Sequence, residues 1–463
     1  RCARVTGVQT CALPIFLVVL SMLFSSCVSL APKLDINSDE VVAKSFKNYQ
    51  IAEDNSNISL NSFLIDENLK TLVNLVLENN KDIKIALLRV EESKSLYRIE
   101  ESNLYPKIDL GGSFNRDKKE EIIKNNYKAS VGTVFELDLF GKNRSLNDAA
   151  KNSFLATQYA LSSTKLSLIS QTINSYLSLA TNIENLNLQK KIYENLSSVY
   201  ELTQKKFTAG VIGKEDVLSS FAMLKESQNE IISYENQIQI DINSLELLLG
   251  STLDESLIPN SLKKDDSYLA LVKSGISSNT LLNRPDIKEL EYQLRAKNAN
   301  IGAARAAFFP SIALTANTGY SSSSLNNLFS TPNSFWQISP SINLPIFTAG
   351  ENSAKLDLSE TQKEIALNEY QKGIQTAFKE VNDALMVRKN IYTKLQNQKE
   401  LTASIEDAYN IALNSYKIGY GSYLNMLIAQ KAYINSQKTL TQTYLEELEN
   451  RVEIFKTLGG EIE

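Results

Sequence analysis

Two periodicities organise the chain. Over residues 142–207, and again over 350–416, apolar positions recur at steps of three and four with no proline between them. Ile169, Ile173, Tyr176, Ala180 and Ile183 form one stripe; Leu401, Ile405, Ala408 and Ala412 form another. Such spacing keeps one helix face turned toward a partner helix. Each run predicts a helix of about 65 residues, or ~100 Å at 1.5 Å per residue. Elsewhere the period is two. Tyr127, Ala129, Val131, Thr133, Phe135, Leu137 and Leu139 alternate with Lys128, Ser130, Gly132, Glu136 and Asp138. Ile312, Leu314, Ala316, Thr318 and Tyr320 alternate with small and polar residues, as do Trp336, Ile338, Pro340, Ile342, Leu344 and Ile346. These segments predict strands with one apolar face.

The change from one period to the other is abrupt. Residues 299–308 are alanine-rich and helical in spacing, and the alternation starts directly after Pro310. The same plan occurs earlier, around Pro106. Asp82 and Asp286 are 204 residues apart (286 − 82), and so are Pro106 and Pro310 (310 − 106). "FELDLFGKNRS" is answered by "INLPIFTAGENS", "FTAGVIGKEDVLSS" by "YKIGYGSYLNMLIA", and "LLLG" by "KTLG". Each half therefore reads helix, strand, strand, long helix, glycine turn, helix. The strand connections "NRDKKEEIIKNN" and "SSSSLNNLFSTPNS" read as long polar loops. Phe114, Tyr127, Tyr320 and Trp336 flank the strands, as aromatic residues do at membrane interfaces.

The amino-terminal residues carry a different signal. Leu13 to Phe24 is apolar but too short for a bilayer span, which needs ~20 residues. It fits the apolar core of a secretory signal, and "FSSC" places Cys27 where a bacterial lipoprotein would be cut and acylated. The expected division is a signal peptide over 1–26, a lipid-anchored extension over 27–65, a first repeat over 66–260, a linker over 261–283 and a second repeat over 284–463.

Composition then removes function classes. Histidine is absent, and with it the usual general base and the commonest metal ligand. There is no C-x-x-C, and "AGVIGKED" lacks the first glycine and the Ser/Thr of a phosphate-binding loop. The acid pairs Asp265-Asp266 and Glu446-Glu447 are expected on solvated surfaces. A net charge of -5 argues against nucleic acid as a partner. No enzyme activity, cofactor or metal site is expected.

The chain resembles the TolC family of outer-membrane efflux proteins, and within it the lipoprotein (NodT-like) members serving RND-type tripartite pumps. The carriers are "RVEESKSLY", "FELDLFGK", "RPDIKELEYQLRAKNANIGAARAAFFPSIALTANTGY", "LPIFTAGENS" and the two glycine turns. The resemblance implies a mainly α fold: a long coiled-coil barrel joined to a transmembrane β-barrel that a homotrimer completes with twelve strands, four per chain. It implies passive export of small molecules, with a periplasmic adaptor, an inner-membrane RND-type pump and outer-membrane lipid as partners. The adaptor would meet the turns at Gly210, Val211 and Gly213 and at Gly419, Tyr420 and Gly421. The gate would lie after the second turn, at Tyr416, Asn425, Ile428 and Lys431, with Glu215 and Asp216 from the first copy. Asp216 would pair with Lys431 or Lys417. Many relatives have aspartate where Ile428 stands, so closure here would rest on apolar packing unless Ile428 is ordinary helix core. A protein-secretion duct and a non-conducting coiled-coil envelope lipoprotein are the alternatives; the latter leaves the strand pairs unexplained.

Overall fold

The structure, a computed structural model, describes residues 29–34, 59–264, 267–271 and 278–461. The expected leader, Cys27 and the acid pair Asp265-Asp266 lie outside the described residues. Helix α1 (Glu67–Asn79) is capped by Asp66, which accepts the Leu69 N–H at 2.9 Å, and α2 (Lys81–Ser102) follows Asn80, whose side chain accepts the Asp82 N–H at 2.8 Å. Strands β1 (Lys107–Lys119) and β2 (Ile122–Leu137) lead into α3 (Lys142–Thr208) and α4 (Lys214–Leu249). The second copy runs α5 (Pro285–Ala306), β3 (Ser311–Ser322), β4 (Ser334–Asn343), α6 (Glu351–Lys417) and α7 (Tyr423–Thr457). Helices α3 and α6 have 67 residues each, ~100 Å at the α-helical rise. The helix–strand order read from the repeat is the order observed.

The chain divides into two compact units, Arg1–Asn37, Leu88–Tyr159 and Lys288–Lys372 in one, and Ser38–Leu87, Ala160–Ile287 and Gly373–Glu463 in the other. Among the described residues, the first holds one antiparallel sheet of order β1-β2-β3-β4. Its central pairing, β2 with β3, joins the two repeats: Tyr127 pairs with Ser322 and Leu137 with Ile312. Pro340 falls in β4, an edge strand of the single chain's sheet, opposite Leu314 of β3. Each passage from strand to helix is short. Asp138 accepts the Asn143 and Arg144 N–H groups at 3.1 and 2.9 Å, satisfying donors that the first turn of α3 leaves unpaired. Phe140 and Phe309 stack beside the passages β2–α3 and α5–β3, with centroids 4.7 Å apart.

The second unit holds the main apolar core, where Leu69, Leu72, Ile169, Ile173, Leu177, Leu245, Val452 and Phe455 are buried together. Phe63 stacks on Phe455 at 4.4 Å. The first predicted stripe is part of this core: Ile169, Ile173, Tyr176 and Ala180 are fully buried.

Three expectations are corrected. The second stripe is not the buried seam of α6: Leu401 is 50% exposed, while Leu395, Thr402, Tyr409 and Tyr416, spaced by sevens, are buried. Thr402 takes a seam position because its hydroxyl lies 2.7 Å from Ser436 Oγ, which removes the penalty of burying it. "NRDKKEEIIKNN" is not a loop. Pairing continues to Lys119 and Ile122, leaving a two-residue turn with Glu120 at φ 56°. Its charges are tolerated in strands because those residues are largely open to solvent. Glu447 is not solvated either. It is buried and accepts Arg451 Nε at 2.6 Å, and Arg451 also donates to the Leu269 carbonyl at 2.8 Å.

Candidate functional site

The sheet has two unlike faces. Residues paired across an antiparallel ladder point to the same side. Ile108 pairs with Thr133, Leu110 with Val131 and Phe114 with Tyr127. Thr133 pairs in turn with Ala316, Phe135 with Leu314 and Leu137 with Ile312. Ala316 then meets Ile338, Thr318 meets Trp336 and Ile312 meets Ile342. The register thus joins the three alternations and the apolar residues Ile108, Leu110 and Phe114 of β1 into one apolar face. The opposite face carries Asp109, Ser113, Lys128, Ser130, Glu136, Thr315, Asn317, Gln337, Ser339 and Asn343. A register slip of one residue in any strand would break this match. The apolar face is uncovered: Leu110 is 82% exposed, Trp336 77% and Ile342 71%. A soluble protein rarely leaves so continuous an apolar surface open. Among the described residues, no helix is long and apolar enough to cross a membrane.

The two helical turns belong to the second unit. Gly210 and Gly419 take positive φ, 74° and 87°, and close the ends of α3 and α6. The Val211 N–H returns to the Lys206 carbonyl and the Tyr420 N–H to the Ser415 carbonyl, both at 2.9 Å. Of the four turn glycines, only these two need the left-handed region. Gly213 is extended at φ -80°, and Gly421 lies close against Ser415 and Tyr416. Val211, Ile418 and Tyr420 project outward, with exposures of 70%, 75% and 93%.

The residues considered for a gate fall into two groups. Asn425, Ile428 and Lys431 share an exposed face of α7, and Ile428 is 60% exposed. Ile428 is therefore not core within the single chain. Leu424, 61% exposed and one turn before Ile428, extends the same apolar row. The sequence reading missed it, although the i, i+4 spacing was available. Glu215 is exposed at the first turn of α4, and Asp216 is half-buried. Among the described residues of one chain, Asp216 forms no ion pair with Lys431 or Lys417.

Tyr416 stands apart from that face. It is buried with Val199, Tyr409, Tyr423 and Met426. Its hydroxyl lies 3.2 Å from Thr203 Oγ1, and its ring packs edge-on against Tyr423 at 5.7 Å. Lys206, which the sequence did not single out, donates to the Tyr416 carbonyl at 2.5 Å and lies 3.9 Å over its ring. Burial, reinforced by the neighbouring Tyr416 and Asp216, pushes the Tyr423 hydroxyl up to about 12. Burial also raises Tyr416, against a smaller opposing effect from Thr203.

Comparison with known proteins agrees with this geometry. The profile of the family described as outer membrane efflux protein matches residues 72–251 and 276–460, one match per repeat. The probable efflux pump outer membrane protein TtgC of Pseudomonas putida is 37% identical over 407 residues, covering 86% of this chain and 84% of TtgC. The cation efflux system protein CusC of Escherichia coli O157:H7 is 31% identical over 414 residues, covering 88% and 89%. The crystal structure of the open state of the Neisseria gonorrhoeae MtrE outer membrane channel superposes with a TM-score of 0.85 at 27% identity, over 94% of this chain and 98% of that one.

Proposed function

Because the chain belongs to the outer membrane efflux protein family, and so is an outer-membrane exit duct of an efflux system, we propose how its own residues build that duct. The observation that carries the reading is the uncovered apolar face running in register across a sheet with two open edges, β1 and β4. In lipid, unpaired strand edges leave amides unsatisfied, so a spanning sheet must close. Four strands are too few, since known barrels begin at about eight. Three copies give about twelve strands, and with them a lumen wider than side chains fill. The apolar face then meets lipid, and the polar face with Lys128, Glu136 and Asn317 lines the passage.

The exposed turns around Gly210 and Gly419 meet a periplasmic adaptor, which couples the duct to an inner-membrane pump. Small solutes, drugs or other toxic compounds, pass without chemistry. Leu424 and Ile428 supply apolar rings in the closed duct, three of each, which exclude water by packing and dewetting. Asn425, Lys431, Glu215 and Asp216 are the polar groups beside them. Tyr416 supports this region from within the helix packing. Cys27, outside the described residues, carries the lipid anchor; one acyl chain holds weakly and several hold firmly.

Native mass spectrometry of detergent-extracted protein tests the assembly. The expected species is three chains, each beginning at Cys27 and carrying the added mass of its acyl groups. Monomers or dimers as the sole species would overturn the three-chain duct, and cleavage at another residue without added mass would overturn the anchor.

A further inference from the structure

Residues 29–34 lie against α5, close to where that helix gives way to β3. Three residues of α5, spaced by four and three, receive them. Asn298 Nδ2 donates to the Pro32 carbonyl at 2.9 Å, and Arg305 Nη1 to the Leu30 carbonyl at 3.4 Å. Gly302, between them, lies directly under Ala31. A Cβ added there would come within 2.8 Å of the Ala31 nitrogen, 3.0 Å of its Cβ and 2.6 Å of Ser145 Oγ. Any side chain at position 302 would therefore displace the segment or α3. Both hydrogen bonds reach backbone carbonyls, so this face reads the path of the segment, not its side chains. Arg305 is held by a second partner, Glu360, at 3.2 Å. Asn298 and Ser145 are themselves more than nine-tenths buried, and among the described residues Asn298 Oδ1 and Ser145 Oγ have no hydrogen-bond partner.

We propose that the Asn298–Gly302–Arg305 face of α5 is a docking site for residues 30–32, a latch that sets where the chain's amino-terminal anchor meets the membrane. Cys27 is four residues from Ala31, so it lies at most about 14 Å away along the chain. Gly302 is four residues, ~6 Å, from the end of α5, and the apolar face of β3 begins soon after, at Ile312. A docked segment thus confines the acyl groups to the lipid nearest the strand entrance. That placement rests on the lipidation proposed above; the docking itself does not.

Disulfide trapping in isolated outer membranes tests the latch. Ala31 and Ser145 both lie within 3.0 Å of the position a Gly302 Cβ would take, so Ala31→Cys with Ser145→Cys should bridge under mild oxidation. Adding Gly302→Leu should slow bridging at least tenfold, and adding Asn298→Ala should slow it severalfold. Absence of the bridge, or an unchanged rate with Gly302→Leu, overturns the latch. If Gly302→Leu does not reach the outer membrane, Asn298→Ala decides, and an unchanged rate there overturns it equally. Radioactive palmitate labelling of the same samples separates the two claims. A bridge without palmitate leaves the docking standing and removes the anchor; palmitate without a bridge does the reverse.

Discussion

Arg284 Nη2 lies 2.8 Å from Glu380 Oε2 and ties the residue before α5 to α6. The same guanidinium holds Asp286 at 2.7 Å and donates to the Thr457 carbonyl, near the end of α7, at 3.0 Å. Burial alone would ease its deprotonation, but Asp286 and Glu380 more than reverse this and raise its pKa. Arg284→Ala would leave two neighbouring carboxylates without their shared cation. Allowing for their partial exposure, the expected loss is about 2–4 kcal/mol. Arg284→Lys should recover little, since an ammonium cannot span three acceptors in a fixed fork. Chemical denaturation in detergent, followed by helical circular dichroism, measures both.

The two faces of the sheet should respond differently to charge. Ile338→Arg places a cation on the apolar face and is expected to cost about 2–4 kcal/mol in a bilayer. Ser339→Arg, one residue on, points to the polar face and should be tolerated. The fraction of each variant recovered in the outer membrane distinguishes them. Equal recovery would mean that the assigned lipid face is wrong.

The turns permit a backbone test. Gly419→Ala or Gly210→Ala forces a Cβ into the left-handed region and should destabilise by about 1–2 kcal/mol. Gly213→Ala, at φ -80° with nothing near its Cβ position, should be close to neutral. Thermal melts of the three variants give the comparison.

The tyrosine cluster near the turns gives a pH dependence. Tyr423 titrates near 12 in the folded chain, above its ordinary value of 10.0. A raised folded pKa means the unfolded chain loses the proton first. The contribution is fully present below pH 10 and is lost as pH rises toward 12. Tyr423→Phe should therefore weaken the alkaline loss of stability while leaving its direction at neutral pH unaffected. Melting temperatures from pH 9 to 12, with tyrosinate absorbance, check this.

Much of the fold was legible because it is repetitive and locally encoded. Proline-free runs fixed the extents of α3 and α6, and alternation marked β2, β3 and β4. What escaped depended on distant partners. The charges of "NRDKKEEIIKNN" looked like a loop because only pairing, not composition, makes Arg116 or Lys124 a strand residue. Glu447 looked solvated because its partner Arg451 is itself buried and donates to the Leu269 carbonyl, 182 residues away. The buried seam of α6 was missed because Thr402 is polar and its partner, Ser436, lies on α7. Around the turns, sequence located the helix ends, but only the packing showed that Tyr416 faces inward while Ile428 faces out.

Single-channel recording on purified protein in planar bilayers tests the duct most directly. The wild type should insert and show a small passive conductance, mostly closed. Ile428→Asp should raise the open fraction sharply, because three like charges cannot share a dry constriction. Incorporated protein that stays silent in both forms would contradict the duct.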